Sequence, residues 1–356
     1  MNTIHQNVGV GQSVIRTKGY SLRPARPRPF SPTVTRASDA ALMRGNVEER
    51  QLAAILCEDR PGHYPTIVLG GFVPDSTEQV FLLRRMLFQS GSVYYLNYSR
   101  RGFSLELLCA QLDDLVEELT ILRGQRPVIF TVSFGSGLLV EWLRRARARQ
   151  RRTDMAGAIL ISPVACVGDV LDPTESKPAT LTARALKPYF DPLEKMNHSV
   201  VERSQAIFSK MFNAGAQNRD ELLGLMTADE IERFLGGVMV SIKGLDCAGA
   251  SERVRALGQF VEPDEWSAPD LAVLTEAPTL ILYAESEGTV LTGNSPTRIA
   301  LNSDLVRLFP QGECRVVTGG ASPVQHASLI FHHHQFLPHV ANFYKELRTG
   351  KVSVAA

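Results

Sequence analysis

From residue 45 onward, short apolar runs alternate with segments of helical period, and this order constrains the fold more than any other feature of the chain. "QLAAILCE" (51–58), "TIVLGGFV" (66–73), "SVYYLNY" (92–98), "PVIFTVS" and "GAILISPV" (157–164) read as strands. Little polar alternation interrupts them, as expected of strands buried on both faces. Between them lie helical patterns. Asp75 and Glu78 are spaced as a capping box before one of them. Leu105, Leu108, Leu112, Leu115 and Leu119 form one stripe of another. "GLLVEWLRRARARQRR" is a third, and its basic tail suits a solvated helix end, where the macrodipole favours cations. After residue 276 the alternation resumes with "PTLILYA" (278–284), a helix capped by Ser295 with Pro296 in its first turn, "CRVVTGG" (314–320) and a closing helix that starts near His326.

Strands alternating with helices predict an α/β fold: a mostly parallel, doubly wound sheet with helices on both faces. Residues 45–166 and 277–350 form its core. Residues 167–276 break the pattern. They contain helical stretches and no convincing strand, with a capping box at Thr227 and Glu230. A helical block inserted after a strand falls at the carboxyl edge of the sheet, where open α/β sheets bind ligands. It is expected to be a cap, with Phe190, Met211, Phe212 and Phe234 available to line a pocket. Residues 1–44 are rich in Arg, Pro and Ser and poor in acids. They offer too little apolar surface to offset chain entropy, so an extended or disordered tail is expected; organelle import is another use of such a composition.

Composition excludes several classes. The net charge of +1 over 356 residues gives no global field for nucleic acid or acidic lipid. No apolar run is long enough to span a bilayer. Five widely spaced cysteines without a CxxC do not make a disulfide framework and favour a reducing, cytoplasmic setting; Cys166 and Cys247 read as small core residues. His332, His333 and His334 cannot converge on one ion, because successive helical residues point about 100° apart. No metal or cofactor is expected.

"TVSFGSG" (131–137) follows a strand and opens a helix. At the apex of a sharp strand-to-helix turn, the residues two before and two after crowd each other and must be small. Ser133 has Thr131 and Gly135 at those positions. Ser136 has Phe134 and Leu138, both large. Only Ser133 can stand at the apex, above the sheet and over a helix N-terminus. As a nucleophile it needs a base, and the base needs an orienting acid.

The element order and motifs resemble the α/β-hydrolase fold superfamily over roughly residues 50–347. Ser133 matches the G-x-S-x-G nucleophile, with Thr131 in place of the first glycine. "AESEGTV" is similar to the family's turn after a late strand and puts Glu287 at the acid position. "GGASPVQHASL" puts His326 at the base position. "LGGFVP" resembles the H-G-F oxyanion loop, with Gly70 where His is usual. "SRRGFS" resembles the D-x-R-G-x-G-x-S segment, with Ser99 where Asp is usual. These departures mark a divergent member.

The resemblance implies a Ser133–His326–Glu287 triad and an oxyanion hole made by the backbone N–H groups of Phe72 and Phe134. Glu285, two residues from Glu287, and Asp169, at the other station where this fold carries its acid, remain alternatives. The expected activity is hydrolysis of an ester, thioester or related acyl bond in a small-molecule substrate with an apolar portion. Acyl transfer on the same triad, or ligand binding without turnover, are the other uses open to such a chain.

Overall fold

The computed structural model describes residues 27–172, 177–190, 197–215, 222–267, 273–320 and 322–350. Its centre is an eight-stranded sheet. The strands are β1 (Arg28–Pro29), β2 (Ala54–Glu58), β3 (Thr66–Leu69), β4 (Val93–Asn97), β5 (Val128–Val132), β6 (Gly157–Ile161), β7 (Thr279–Ala284) and β8 (Gly312–Val317). They stand in the order β1-β2-β4-β3-β5-β6-β7-β8. β1–β2 and β2–β4 are antiparallel, and every later pair is parallel.

The apolar runs form strands because both faces of the sheet are covered. All residues of β3, β5, β6 and β7 are buried. Ile67, Leu69, Ile129 and Leu160 face one core with the stripe Leu105, Leu108, Leu112 and Leu115 of helix Leu105–Glu117 and Leu119 of the turn Glu118–Leu122 that continues it. Val68, Phe130, Ile159 and Leu282 face the other, with Phe336, Val340 and Tyr344 of helix His333–Thr349.

Between β6 and β7 the described residues are helical, with helices Leu181–Leu186, His198–Gly215, Ala228–Lys243 and Cys247–Leu257 and no strand. Thr227 and Glu230 form the expected capping box on the third of these. Among the described residues, no helix is long and apolar enough to cross a membrane.

Three expectations need correction. The expected tail, residues 1–44, is not extended throughout. Its first 26 residues lie outside the described residues, but Arg28–Pro29 pairs with β2 and Arg36–Met43 is a helix with Ala41 fully buried. The reason is polar. Asp114 accepts from Ala37 N (2.8 Å) and Ser38 N (2.9 Å), which supplies the helix start with acceptors that a scan for apolar periodicity overlooks. The box expected at Asp75 and Glu78 does not form. Asp75 makes no side-chain cap bond and pairs with Arg100 (2.5 Å), and the helix breaks after Gln79. The closing helix begins at His333, not His326, so His332 is its N-cap residue.

Candidate active site

β5 ends at Val132, and the next residue opens helix Phe134–Ala148. Ser133 makes this reversal alone, at φ 50° and ψ −116°, a region sparsely populated by residues with a Cβ. The strain is held from both sides: Ser133 N donates to Ile161 O (2.8 Å) and Val164 N donates to Ser133 O (3.2 Å). Gly135 is required by space, because a Cβ there would lie 2.4 Å from Leu69 O. Thr131 fits two residues before the apex by turning its hydroxyl inward, to Ser136 Oγ (2.8 Å) and Ile159 O (3.1 Å). Ser136 is thereby a fully buried tie within the turn.

Ser133 Oγ lies 2.9 Å from His326 Nε2. His326 Nδ1 hydrogen-bonds Glu287 Oε2. The Glu287 carboxyl is 3% exposed, and its other oxygen accepts from Ala284 N (2.7 Å). Burial pushes its pKa up. His326 beside it, with hydrogen bonds from His326, Ser162 and Ala284 N, outweighs burial and holds it below the ordinary carboxylate value. The carboxylate is therefore ionised at neutral pH, as an orienter of imidazole must be.

The other two acids serve elsewhere. Glu285 Oε1 accepts from Gly319 N (2.6 Å) and Val324 N (2.9 Å), so it braces the loop that leads to His326. Asp169 is fully buried. One of its oxygens accepts from Ala165 N (2.8 Å) and Cys166 N (3.1 Å), the other from Ser295 Oγ (2.6 Å) and Thr297 N (3.0 Å), which clasps the start of the insertion to helix Pro296–Ser303.

Phe72 and Phe134 flank Ser133. Gly71 lies against the turn, where a Cβ would be in ordinary contact with that of Ser133, at 3.4 Å. Phe134 N is at the start of its helix, and neither it nor Phe72 N donates to an acceptor among the described residues. The Phe134 ring is core, stacked on Phe260 (5.5 Å) and edge-on to Phe72 (5.9 Å). A cavity of about 210 Å³ opens beside Ser133 and His326. Phe72, Leu181, Phe208, Met211, Phe212 and Phe331 give it a mostly apolar wall. Met211 and Phe212 thus stand where expected. Phe234 instead stacks on Phe81 (4.6 Å), and Phe190 is 39% exposed and outside this cavity.

Solved structures similar to this chain include an esterase from Thermogutta terrifontis (15% identity, 83% of this chain and 94% of that one, TM-score 0.53), MenH from S. aureus (15%, 83% and 98%, 0.54) and a bromoperoxidase from Bacillus anthracis (16%, 82% and 96%, 0.54). The chain has the α/β-hydrolase fold. No protein-family model matches it, and no curated protein sequence does either.

Two positions in this α/β-hydrolase fold were not singled out from sequence. Ser162, just after β6 at φ 45°, accepts from Ala327 N (3.1 Å) and hydrogen-bonds Glu287, so it links the acid to the histidine loop. Its place at the carboxyl end of a central strand was the available signal. Gln79 bridges Gly71 N (2.9 Å) and Pro74 O (2.8 Å) and fixes the loop that carries Phe72. No pattern in the sequence marks it. Among the described residues, no group of three or more His, Cys, Asp or Glu side chains could hold a metal ion.

Proposed function

We propose that the protein is a serine hydrolase that cleaves an ester, thioester or related acyl bond. The observation that carries this reading is the continuous chain Ser133 Oγ–His326 Nε2, His326 Nδ1–Glu287, built at a strained strand-to-helix turn. Esterases among the structural neighbours support it.

Ser133 Oγ attacks the acyl carbonyl while His326 Nε2 takes its proton. The tetrahedral oxyanion is held by Phe72 N–H and Phe134 N–H. His326 then donates the proton to the leaving alcohol or thiol, and an acyl-enzyme remains on Ser133. A water deprotonated by His326 attacks the acyl-enzyme and regenerates the serine. Glu287 fixes the imidazole tautomer and stabilises the imidazolium. The helical insertion acts as the cap, and its Phe208, Met211 and Phe212 take the apolar part of the substrate. The cavity is smaller than the roughly 300–1,000 Å³ usual for drug-sized ligands, which favours short acyl groups. The cytoplasmic setting expected from the cysteines belongs to the same proposal.

The test is labelling with a fluorophosphonate followed by peptide mapping, together with turnover of p-nitrophenyl esters. The adduct is expected on Ser133, and Ser133→Ala is expected to lower turnover on the order of 10⁶-fold without unfolding the protein. An adduct on another serine, or near-native turnover in Ser133→Ala, would overturn the reading.

A further inference from the structure

The loop that carries Phe72 is held on every side. Gly70 N donates to Ser76 Oγ (3.0 Å), and Gly70 O accepts from Tyr98 Oη (2.8 Å). Gln79 holds Gly71 N and Pro74 O. These partners all precede the insertion in the chain. One further contact comes from the insertion itself: Arg253, on helix Cys247–Leu257, donates through Nη1 to Phe72 O. Its Nη2 donates to Tyr98 O (3.2 Å) and Ser99 O (3.1 Å). Its guanidinium carbon lies 5.8 Å from the centre of the Phe72 ring and 5.4 Å from that of Tyr98.

Arg253 is 2% exposed, and among the described residues its Nε has no hydrogen-bond partner. The carboxylate that most favours its charge, Asp75, is bonded to Arg100 at 2.5 Å. Burial pulls the guanidinium down to about 10, which leaves it a cation at neutral pH. A buried cation with no carboxylate paired to it among the described residues is an expensive way to attach one helix to a core; apolar packing would do that without desolvating a charge. The charge and the planar fork fit a different task. They fix three backbone carbonyls, one of which belongs to Phe72.

We infer that Arg253 is a positioning residue for the oxyanion site: by holding Phe72 O it sets the orientation of the loop that presents Phe72 N–H. This rests on the triad reading above. It gives the insertion a second role, because the same block that walls the cavity completes the loop next to the nucleophile. An insertion displaced from the core would release Phe72 O and loosen the oxyanion donor.

The experiment uses the full-length protein and the variants Arg253→Met, which keeps most of the length and removes the charge, and Arg253→Lys, which keeps the charge and removes the fork. Competent sites are counted by fluorophosphonate titration carried to completion. The values of kcat per competent site and KM are then measured with p-nitrophenyl acetate. Inhibition by a trifluoromethyl ketone, which forms a tetrahedral adduct on the serine, reports the oxyanion site directly.

In Arg253→Met, kcat per competent site is expected to fall about 10- to 100-fold, less than or near the loss of one whole oxyanion donor. KM is expected to stay within about threefold. Affinity for the ketone is expected to fall by a factor similar to that of kcat, and Arg253→Lys to recover part of both. A residue that only supports folding would lower the number of competent sites and the melting temperature, with kcat per site and ketone affinity native. That result would overturn the inference. If Arg253→Met does not fold, Arg253→Lys decides, since loss of the fork alone must still lower kcat at constant KM. Absence of a Ser133 adduct in the native protein would overturn the triad reading, and this inference with it. A Ser133 adduct together with native kcat in the variants would overturn the role of Arg253 alone.

Discussion

Glu287, Glu285 and Asp169 are three carboxylates near one sheet edge, and their neighbours separate them. Glu287 meets His326, Ser162 and Ala284 N; Glu285 meets two loop amides; Asp169 meets two amides at the start of the insertion and the hydroxyl and amide that open helix Pro296–Ser303. Glu287→Gln keeps the shape but favours the wrong imidazole tautomer, so turnover of a p-nitrophenyl ester is expected to fall roughly 10⁴-fold with little loss of stability. Asp169→Asn replaces an acceptor-only group by one that must place two donors against existing donors. It is expected to cost about 2 kcal/mol or more of stability and to leave kcat of the folded protein near native. Glu285→Gln is expected to act weakly on both. The three variants assayed side by side, with thermal melts, check this; collapse of kcat in Asp169→Asn alone would move the acid to the earlier strand. The turn at Ser133 and the carboxylate that meets His326 were legible because each rests on local rules: small residues two positions from an apex, and a fixed spacing after a strand. Ser162 was not, because its role appears only when the loops after β6 and β8 meet.

At the scale of elements, the strands were legible from apolar runs because burial on both faces removes polar alternation. The Asp75 cap was misread because a partner distant in the local pattern, Arg100, competes for the same carboxylate. Helix His198–Gly215 brings Phe208 to stack on Phe72 at 5.6 Å, with an interplanar angle of 25°. This closes one side of the cavity, and Phe212 leans on Phe331 (5.2 Å) at another. Phe208→Ala removes a ring from the wall. It is expected to shift the preferred p-nitrophenyl ester toward longer acyl chains while changing kcat for the acetate less than about tenfold. An unchanged chain-length profile would mean that the substrate's apolar part lies elsewhere. The closing helix carries a second testable feature. His333, 8% exposed, has its pKa lowered to about 4 by burial and by the neighbouring His334 and His332. The unfolded chain binds a proton there near 6.5 and the folded chain does not, so this residue's contribution is fully present above about 6.5 and is lost as pH falls toward 4. His333→Gln is expected to flatten the fall of melting temperature between those two values; an identical slope would remove His333 as its source.

For the molecule as a whole, the chain before residue 45 is where sequence and structure part most, and the difference sets where the folded unit begins. A tail was expected because residues 1–44 lack apolar periodicity. What orders residues 28–43 is mainly polar and comes from one distant helix. Asp114, 2% exposed, accepts from Ala37 N, Ser38 N and Ser38 Oγ (2.6 Å). Glu118, 4% exposed, accepts from Thr33 N (2.9 Å) and Val34 N (3.2 Å). Phe30 N donates to Ile55 O (2.8 Å), and its ring meets Tyr94 edge-on at 5.0 Å. Ala41 packs with Leu107 and Ala110. Removing residues 1–44 therefore strips Asp114 of its donors, takes two amides from Glu118 and leaves it Arg123 (3.5 Å), and bares β2, whose free edge becomes available for pairing with another chain. Removing residues 1–26 leaves every one of these contacts in place. The protein cut to residue 45 is expected to melt at least about 5 °C below the protein cut to residue 27, and to aggregate more readily. Ester turnover per folded molecule is expected to be equal in the two, because none of these contacts touches Ser133, His326 or Glu287. Equal melting temperatures would show that residues 27–44 add nothing to the folded unit and would restore the boundary at 44.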